Sequence, residues 1–105
     1  MNIQFSYKSV SEKDKTFLES YIDKKTDRIE TLVSNDQLEN SKMEIRVEKF
    51  AKKEAYNLEI FFSWPGQDFM ASEDDHTVIE AFDLAFDKLI NQIRRHRDEL
   101  KNNKK

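Results

Sequence analysis

The chain has no cysteine, one glycine and only two histidines. Without cysteine there can be no disulfide staple, thiolate zinc site, thiol nucleophile or iron–sulfur cluster, and a reducing cytoplasm fits. A single glycine excludes a phosphate-cradling P-loop and a dinucleotide fingerprint, which both need several. No stretch approaches the roughly 20 apolar residues of a membrane span. The opening Met1-Asn2-Ile3-Gln4-Phe5-Ser6-Tyr7-Lys8 has no apolar run of signal-peptide length.

What is present is charge and phenylalanine. Apolar residues are 37% of the 105, charged residues another 37%, and the net charge is -3. The low apolar share alone would point to disorder, but eight Phe supply large buried area per residue. The length suits one small domain, expected over 1–105. Residues 1–87 hold 11 Lys/Arg against 19 Asp/Glu (-8), and residues 88–105 hold 7 against 2 (+5), which together recover -3. An acidic chain with a basic end points to a polyanionic partner. A solvated helix terminus, where cations also suit the macrodipole, accounts for it more simply on charge alone.

Alternation marks the strands. Ile3, Phe5 and Tyr7 predict a first strand, Met43, Ile45 and Val47 a second over about 41–50, Tyr56 to Trp64 a third, and Phe69 with Ala71 a fourth. Pro65-Gly66 fits the central pair of a type II turn. Helical spacing from Leu18 to Val33, opened by Ser11 and stopped by Ser34-Asn35-Asp36, predicts a helix over about 11–33. Thr77 opens a second helix, expected to about 102, with Glu73-Asp74-Asp75 read as its acidic approach. Its apolar stripe ends at Ile93, so its basic last turns should project past the sheet. The expected fold is α+β: a single domain, β-α-β-β-β-α, with a four-stranded mixed sheet and two helices on one face. The strand–helix–strand opening favours parallel pairing of the first two strands, and 102–105 is expected to fray.

Catalytic chemistry is hard to assemble. His76 and His96 sit at opposite ends of one helix, and His96 reads as a half-buried helix residue. The Glu73-Asp74-Asp75 run reads as capping rather than as a metal site. No catalytic residue, metal or cofactor is expected. The cations are more informative. Lys25 falls inside the stripe of Leu18, Ile22, Ile29 and Leu32, with Arg28 on its flank. Two readings of Lys25 stand: a snorkelling stem, or a cation held at the seam between the helices. On the last helix Lys88 and Arg95 border one side of the buried stripe, and Arg94, Arg97 and Lys101 the other. Donors of this kind suit RNA phosphates better than base edges.

Several short motifs then fall in one order: Arg46-Val47-Glu48-Lys49, Ala71-Ser72, Ala81-Phe82-Asp83, Asp87-Lys88-Leu89, Gln92-Ile93, Arg95-His96-Arg97 and Leu100-Lys101, with Lys25, Arg28 and Ile29 upstream. The chain resembles the short ribosome hibernation promoting factors and the related ribosome-associated translation inhibitors. The resemblance implies the fold order read above and a cytoplasmic, non-enzymatic factor. It implies binding to the small ribosomal subunit and its rRNA in the mRNA/tRNA channel, inhibiting translation under stress. By position it assigns RNA binding to Lys25, Arg28, Lys88, Arg95, Arg97 and Lys101. Asn91 departs from the family, which is commonly basic there, and Arg94 on the other edge is a candidate to compensate. The chain resembles forms without a carboxy-terminal dimerisation domain, so a monomer off the ribosome is expected, with no membrane or small-molecule partner. The alternative reading is a protein-interaction module using the open sheet face, where Phe61 and Met70 point outward among Glu44, Glu59 and Asp68.

Overall fold

Side chains two apart on a strand share a face, and this places one apolar row after another across the sheet. The computed structural model describes residues 1–102. It contains β1 (Asn2–Lys8), α1 (Glu12–Lys25), α2 (Asp27–Glu30), α3 (Asn35–Glu39), β2 (Lys42–Lys49), β3 (Tyr56–Trp64), β4 (Gln67–Asp75) and α4 (Val78–Asn102). The strands lie in the order β1-β2-β3-β4. β1 and β2 are parallel, with Phe5 beside Ile45, and the other two pairs are antiparallel, with Ile45 beside Ile60 and Ile60 beside Ala71. That row and its neighbours form the inner face. α1 and α4 cover it, burying Leu18 and Ile22 from α1 with Phe82, Phe86, Leu89 and Ile93 from α4. Each large side chain so buried is worth about 1.5–3 kcal/mol.

The caps and the turn follow from local chemistry. Ser11 Oγ accepts the Asp14 N–H at 3.2 Å, and Thr77 Oγ1 accepts the Glu80 N–H at 3.1 Å. Proline fixes its own φ near -65°, and Gly66 adopts φ +93°, the pair a type II turn needs. Trp64 consequently pairs with Gln67 across a two-residue loop.

Two expectations are corrected. The helix expected over 11–33 is broken. Thr26 and Thr31 each return a hydroxyl to the carbonyl three residues back, to Asp23 at 3.4 Å and Arg28 at 2.9 Å. Such bonds compete with the helical ladder, and the chain continues as i to i+3 turns, Ile29 to Thr26 and Leu32 to Ile29. Ser34 is also a start. Its side chain accepts the Gln37 N–H while the Gln37 side chain accepts the Ser34 N–H, a complete capping box for α3. Glu73, Asp74 and Asp75, read as an approach to the last helix, instead complete β4. There the His76 N–H is bonded to Asp75 Oδ1 at 2.7 Å.

α4 runs antiparallel to β4 and outlasts the sheet, as its stripe predicts. Ile93 is its last fully buried residue, and the molecule measures 52 × 22 × 21 Å. The helix includes Asn102, and the rest of the tail expected to fray, 103–105, lies outside the described residues. No helix among the described residues is long and apolar enough to cross a membrane.

Candidate nucleic-acid interface

The expected basic residues come to two sides of α4, and α1 with α2 meets only one of them. Asp83, Asp87, Arg94, Arg97 and Lys101 follow one another at three-, four- or seven-residue spacing, so they form one stripe along the helix. α1 and α2 lie against its first half. Tyr21 Oη donates to Asp83, 2.8 Å from each carboxylate oxygen. Its ring packs edge-on against Phe82 at 6.0 Å. Lys25 Nζ lies 5.2 Å from the centre of the Tyr21 ring. Arg28 bonds Asp87 at 3.0 Å while its guanidinium lies 5.5 Å from the centre of the Phe86 ring. Burial first, and then Asp83, push the Tyr21 phenol above its ordinary pKa, while Lys25 pulls the other way. Lys25 is thus half-buried against an aromatic face, so the snorkelling stem and the cation at the seam are both realised by one placement.

Lys88 and Arg95 do not join this seam. Lys88 reaches the outer edge of β4, where Nζ meets Glu73 at 2.5 Å and the Ser72 carbonyl at 3.4 Å. One turn on, Gln92 donates to the Met70 carbonyl at 2.7 Å. A free sheet edge is a hazard, and these two side chains close this one. Arg95 follows them along the same side of the helix, past the last buried turn.

The second half of the stripe, and Arg95 on the other side of the helix, have few partners. Arg94 and Arg95 are exposed, and neither forms an ion pair among the described residues. Arg97 has only a long contact to Asp98, 3.8 Å, and its Nε is buried without a hydrogen-bond partner. Lys101 is exposed. His96, between them, turns back to pack on Phe69 at 5.6 Å and Trp64 at 6.1 Å, which anchors the projecting helix to the β3–β4 hairpin. The arrangement offers guanidinium donors at the end of an elongated molecule, with two more cations, Lys25 and Arg28, at the flank.

Sequence reasoning missed the seam's acids and its phenol. Tyr21, Asp83 and Asp87 carried a detectable signal only in part: the aspartates stand four apart on the stripe that later turns basic. The opposite sheet face is as expected in placement. Phe61 pairs with Met70, which is 46% exposed. The Arg46 guanidinium lies over Phe61 at 4.9 Å and bonds Glu44 at 2.7 Å. Shallow hollows on that face are lined by residues such as Gln4, Glu44, Phe61 and Asp68 and lie away from the cations of α4.

The fold has solved counterparts. The crystal structure of the N-terminal domain of Protein Y from Thermus thermophilus superposes with a TM-score of 0.73, covering 91% of this chain and 99% of that chain at 23% identity. A ribosomal subunit interface protein from Coxiella burnetii superposes with a TM-score of 0.57, covering 97% of this chain and 99% of that one at 14% identity. At such identities the likeness establishes the fold. A search of curated proteins found no match. A model of the family described as sigma 54 modulation protein / S30EA ribosomal protein matches residues 3–101. That match spans nearly the whole domain and bears out the resemblance carried by the α4 motifs: the chain belongs to the sigma 54 modulation protein / S30EA ribosomal protein family.

Proposed function

We propose that this protein binds the small ribosomal subunit in the channel between its head and body, occupies the mRNA and tRNA positions, and holds translation idle under stress. It acts in the cytoplasm as a monomer when unbound, by occupancy rather than by catalysis. Family membership supports a ribosomal role, and the Coxiella burnetii protein of like fold is a ribosomal subunit interface protein. The observation that carries the reading is the end of α4, where Arg94 and Arg95 stand exposed with no ion-pair partner among the described residues. Guanidinium groups without an internal partner are ready to meet phosphates, and phosphate contacts position a protein on RNA without reading bases.

Arg95, Arg97 and Lys101 supply the main contacts in this reading, with Arg94 in place of a basic residue at Asn91. Lys25 and Arg28 bind from the flank, and Lys88 contributes least because Glu73 already holds it. The test is sedimentation of purified protein with ribosomal subunits on sucrose gradients, beside a cell-free translation assay. Migration with the small subunit and dose-dependent inhibition are expected. Protein that stays at the top of the gradient at low salt would refute the reading.

A further inference from the structure

The seam holds a carboxylate where the proposed function needs a phosphate. Asp87 Oδ1 lies 3.0 Å from Arg28, and both side chains are open to solvent, 61% and 47% exposed. Asp83, four residues earlier on the same stripe, is held by Tyr21, and Lys25 Nζ lies over the ring of the same tyrosine. Two cations and two carboxylates therefore balance in this half of the stripe. In the other half, Arg94, Arg97 and Lys101 follow with one carboxylate, Asp98, whose only ion-pair contact among the described residues is the long 3.8 Å one to Arg97.

The geometry points to Asp87 as a residue that attenuates polyanion binding at the seam. We infer that its carboxylate occupies Arg28 in the unbound protein and repels any polyanion that approaches the seam without enough other contacts. This inference rests on the reading of the α4 surface as RNA-binding. An RNA of fixed shape that engages the Arg94–Lys101 half at the same time recovers the cost of parting Arg28 from Asp87. A flexible polyanion that reaches the seam alone does not. Asp87 thus weakens binding in general, and keeps unstructured chains from engaging Arg28. A unit charge about 5 Å from a phosphate, both facing water at a dielectric constant of about 50–80, changes affinity by about four- to tenfold before salt screening.

The substitution that reads this is Asp87→Asn, which keeps size and removes charge at an exposed position. Binding is measured to poly(U), a flexible polyanion, and to isolated small subunits, across a salt series. Arg28→Gln and the double variant complete the cycle, and circular dichroism checks each fold. Asp87→Asn should bind poly(U) about four- to tenfold tighter at low salt. Its log–log salt slope should steepen by about 0.7, one further phosphate on a single strand. The gain should shrink when Arg28 is Gln, and small subunits, which engage Arg28 in either protein, should gain affinity without a change of slope. Unchanged or weaker poly(U) binding by a folded Asp87→Asn protein would overturn the inference. So would a gain undiminished by Arg28→Gln, or a salt slope that steepens as much on subunits as on poly(U). Failure of the wild-type protein to bind subunits, with the poly(U) pattern intact, would remove the proposed function and leave Arg28's competition with Asp87 standing. Subunit binding with Asp87→Asn silent on both probes would do the reverse.

Discussion

The packed part of α4, Val78 to Ile93, and its projecting end, from Arg94 onward, use charge in opposite ways. In the packed part each charged side chain facing the rest of the molecule is spoken for. Asp83 accepts Tyr21, Asp87 binds Arg28, and Lys88 binds Glu73 across the β4 edge. In the projecting end, Arg94 and Arg95 have no ion pair among the described residues, and Arg97 has only its 3.8 Å contact to Asp98. Basic composition alone therefore does not mark a binding surface. A cation that must first leave a carboxylate neutralises a phosphate at a discount, and one facing water does not.

The largest effect should come from the packed part and fall on stability alone. Phe82 is fully buried, stacked on Phe86 at 5.2 Å and met edge-on by Tyr21. Phe82→Ala should cost about 3–5 kcal/mol, read by urea denaturation. A loss under about 1 kcal/mol, close to that of a surface change, would mean that this half of α4 does not carry the fold.

Reversing the projecting end should do the opposite. Arg94→Glu with Arg95→Glu should lower small-subunit affinity about a hundredfold, near 2.7 kcal/mol, because two attractions become repulsions. Stability should move by no more than about 0.5 kcal/mol, since both side chains lie off the core. A folded double variant that sediments with subunits as the wild type does would erase the functional contrast between the two regions.

Lys88→Gln sharpens the contrast within one side of the helix. It removes an ion pair whose lysine is 54% exposed, so stability should fall by at most about 1 kcal/mol. RNA affinity should fall clearly less than for Arg95→Gln, measured side by side. Equal losses would show that Glu73 does not hold Lys88 back from phosphate.

The smallest effect is alkaline. Tyr56 donates to Asp14 at 2.7 Å, which joins β3 to the first turn of α1, and this bond first, then burial, pushes its phenol up to about 12. An acid whose folded pKa lies above its unfolded value near 10 stabilises the fold in full below about pH 10. That contribution is lost as pH rises towards 12. The difference in melting temperature between wild type and Tyr56→Phe should therefore shrink from pH 9 to pH 11. A constant difference would show that the Asp14 bond does not set this titration.

The sheet was legible because its signal is local. Met43, Ile45 and Val47 alternate in the sequence and all three are buried. Pro65-Gly66 and Thr77 announce the turn and the cap by residue type. The break after Lys25 was not legible, because apolar spacing continues through Ile29 to Val33 while the Thr26 and Thr31 hydroxyls undo the ladder beneath it. α3 had its signature in Ser34 and Gln37, overshadowed by the stop that the same serine marks. In the candidate site, Lys25 stood out because it interrupts an apolar stripe. The partners of Arg28 and Lys88 did not. Asp87 meets Arg28 only once the offset between α1–α2 and α4 is fixed, and Lys88 meets Glu73 only because β4 is the outer strand. Pairings across 59 residues, as between Arg28 and Asp87, are set by tertiary packing.

The most direct measurement is the affinity of the wild-type protein for isolated small subunits across a salt series, from low to moderate ionic strength. Unpaired cations at the end of α4 meeting RNA phosphates release counterions, so log affinity should fall linearly with log salt, by about a decade or more over that range. The acidity of the remaining surface should not mask this, because charges more than about 10 Å apart are largely screened at 0.1 M salt. An affinity that stays flat across the series would mean that the subunit is held by some other surface, and that the exposed arginines of α4 do not bind RNA.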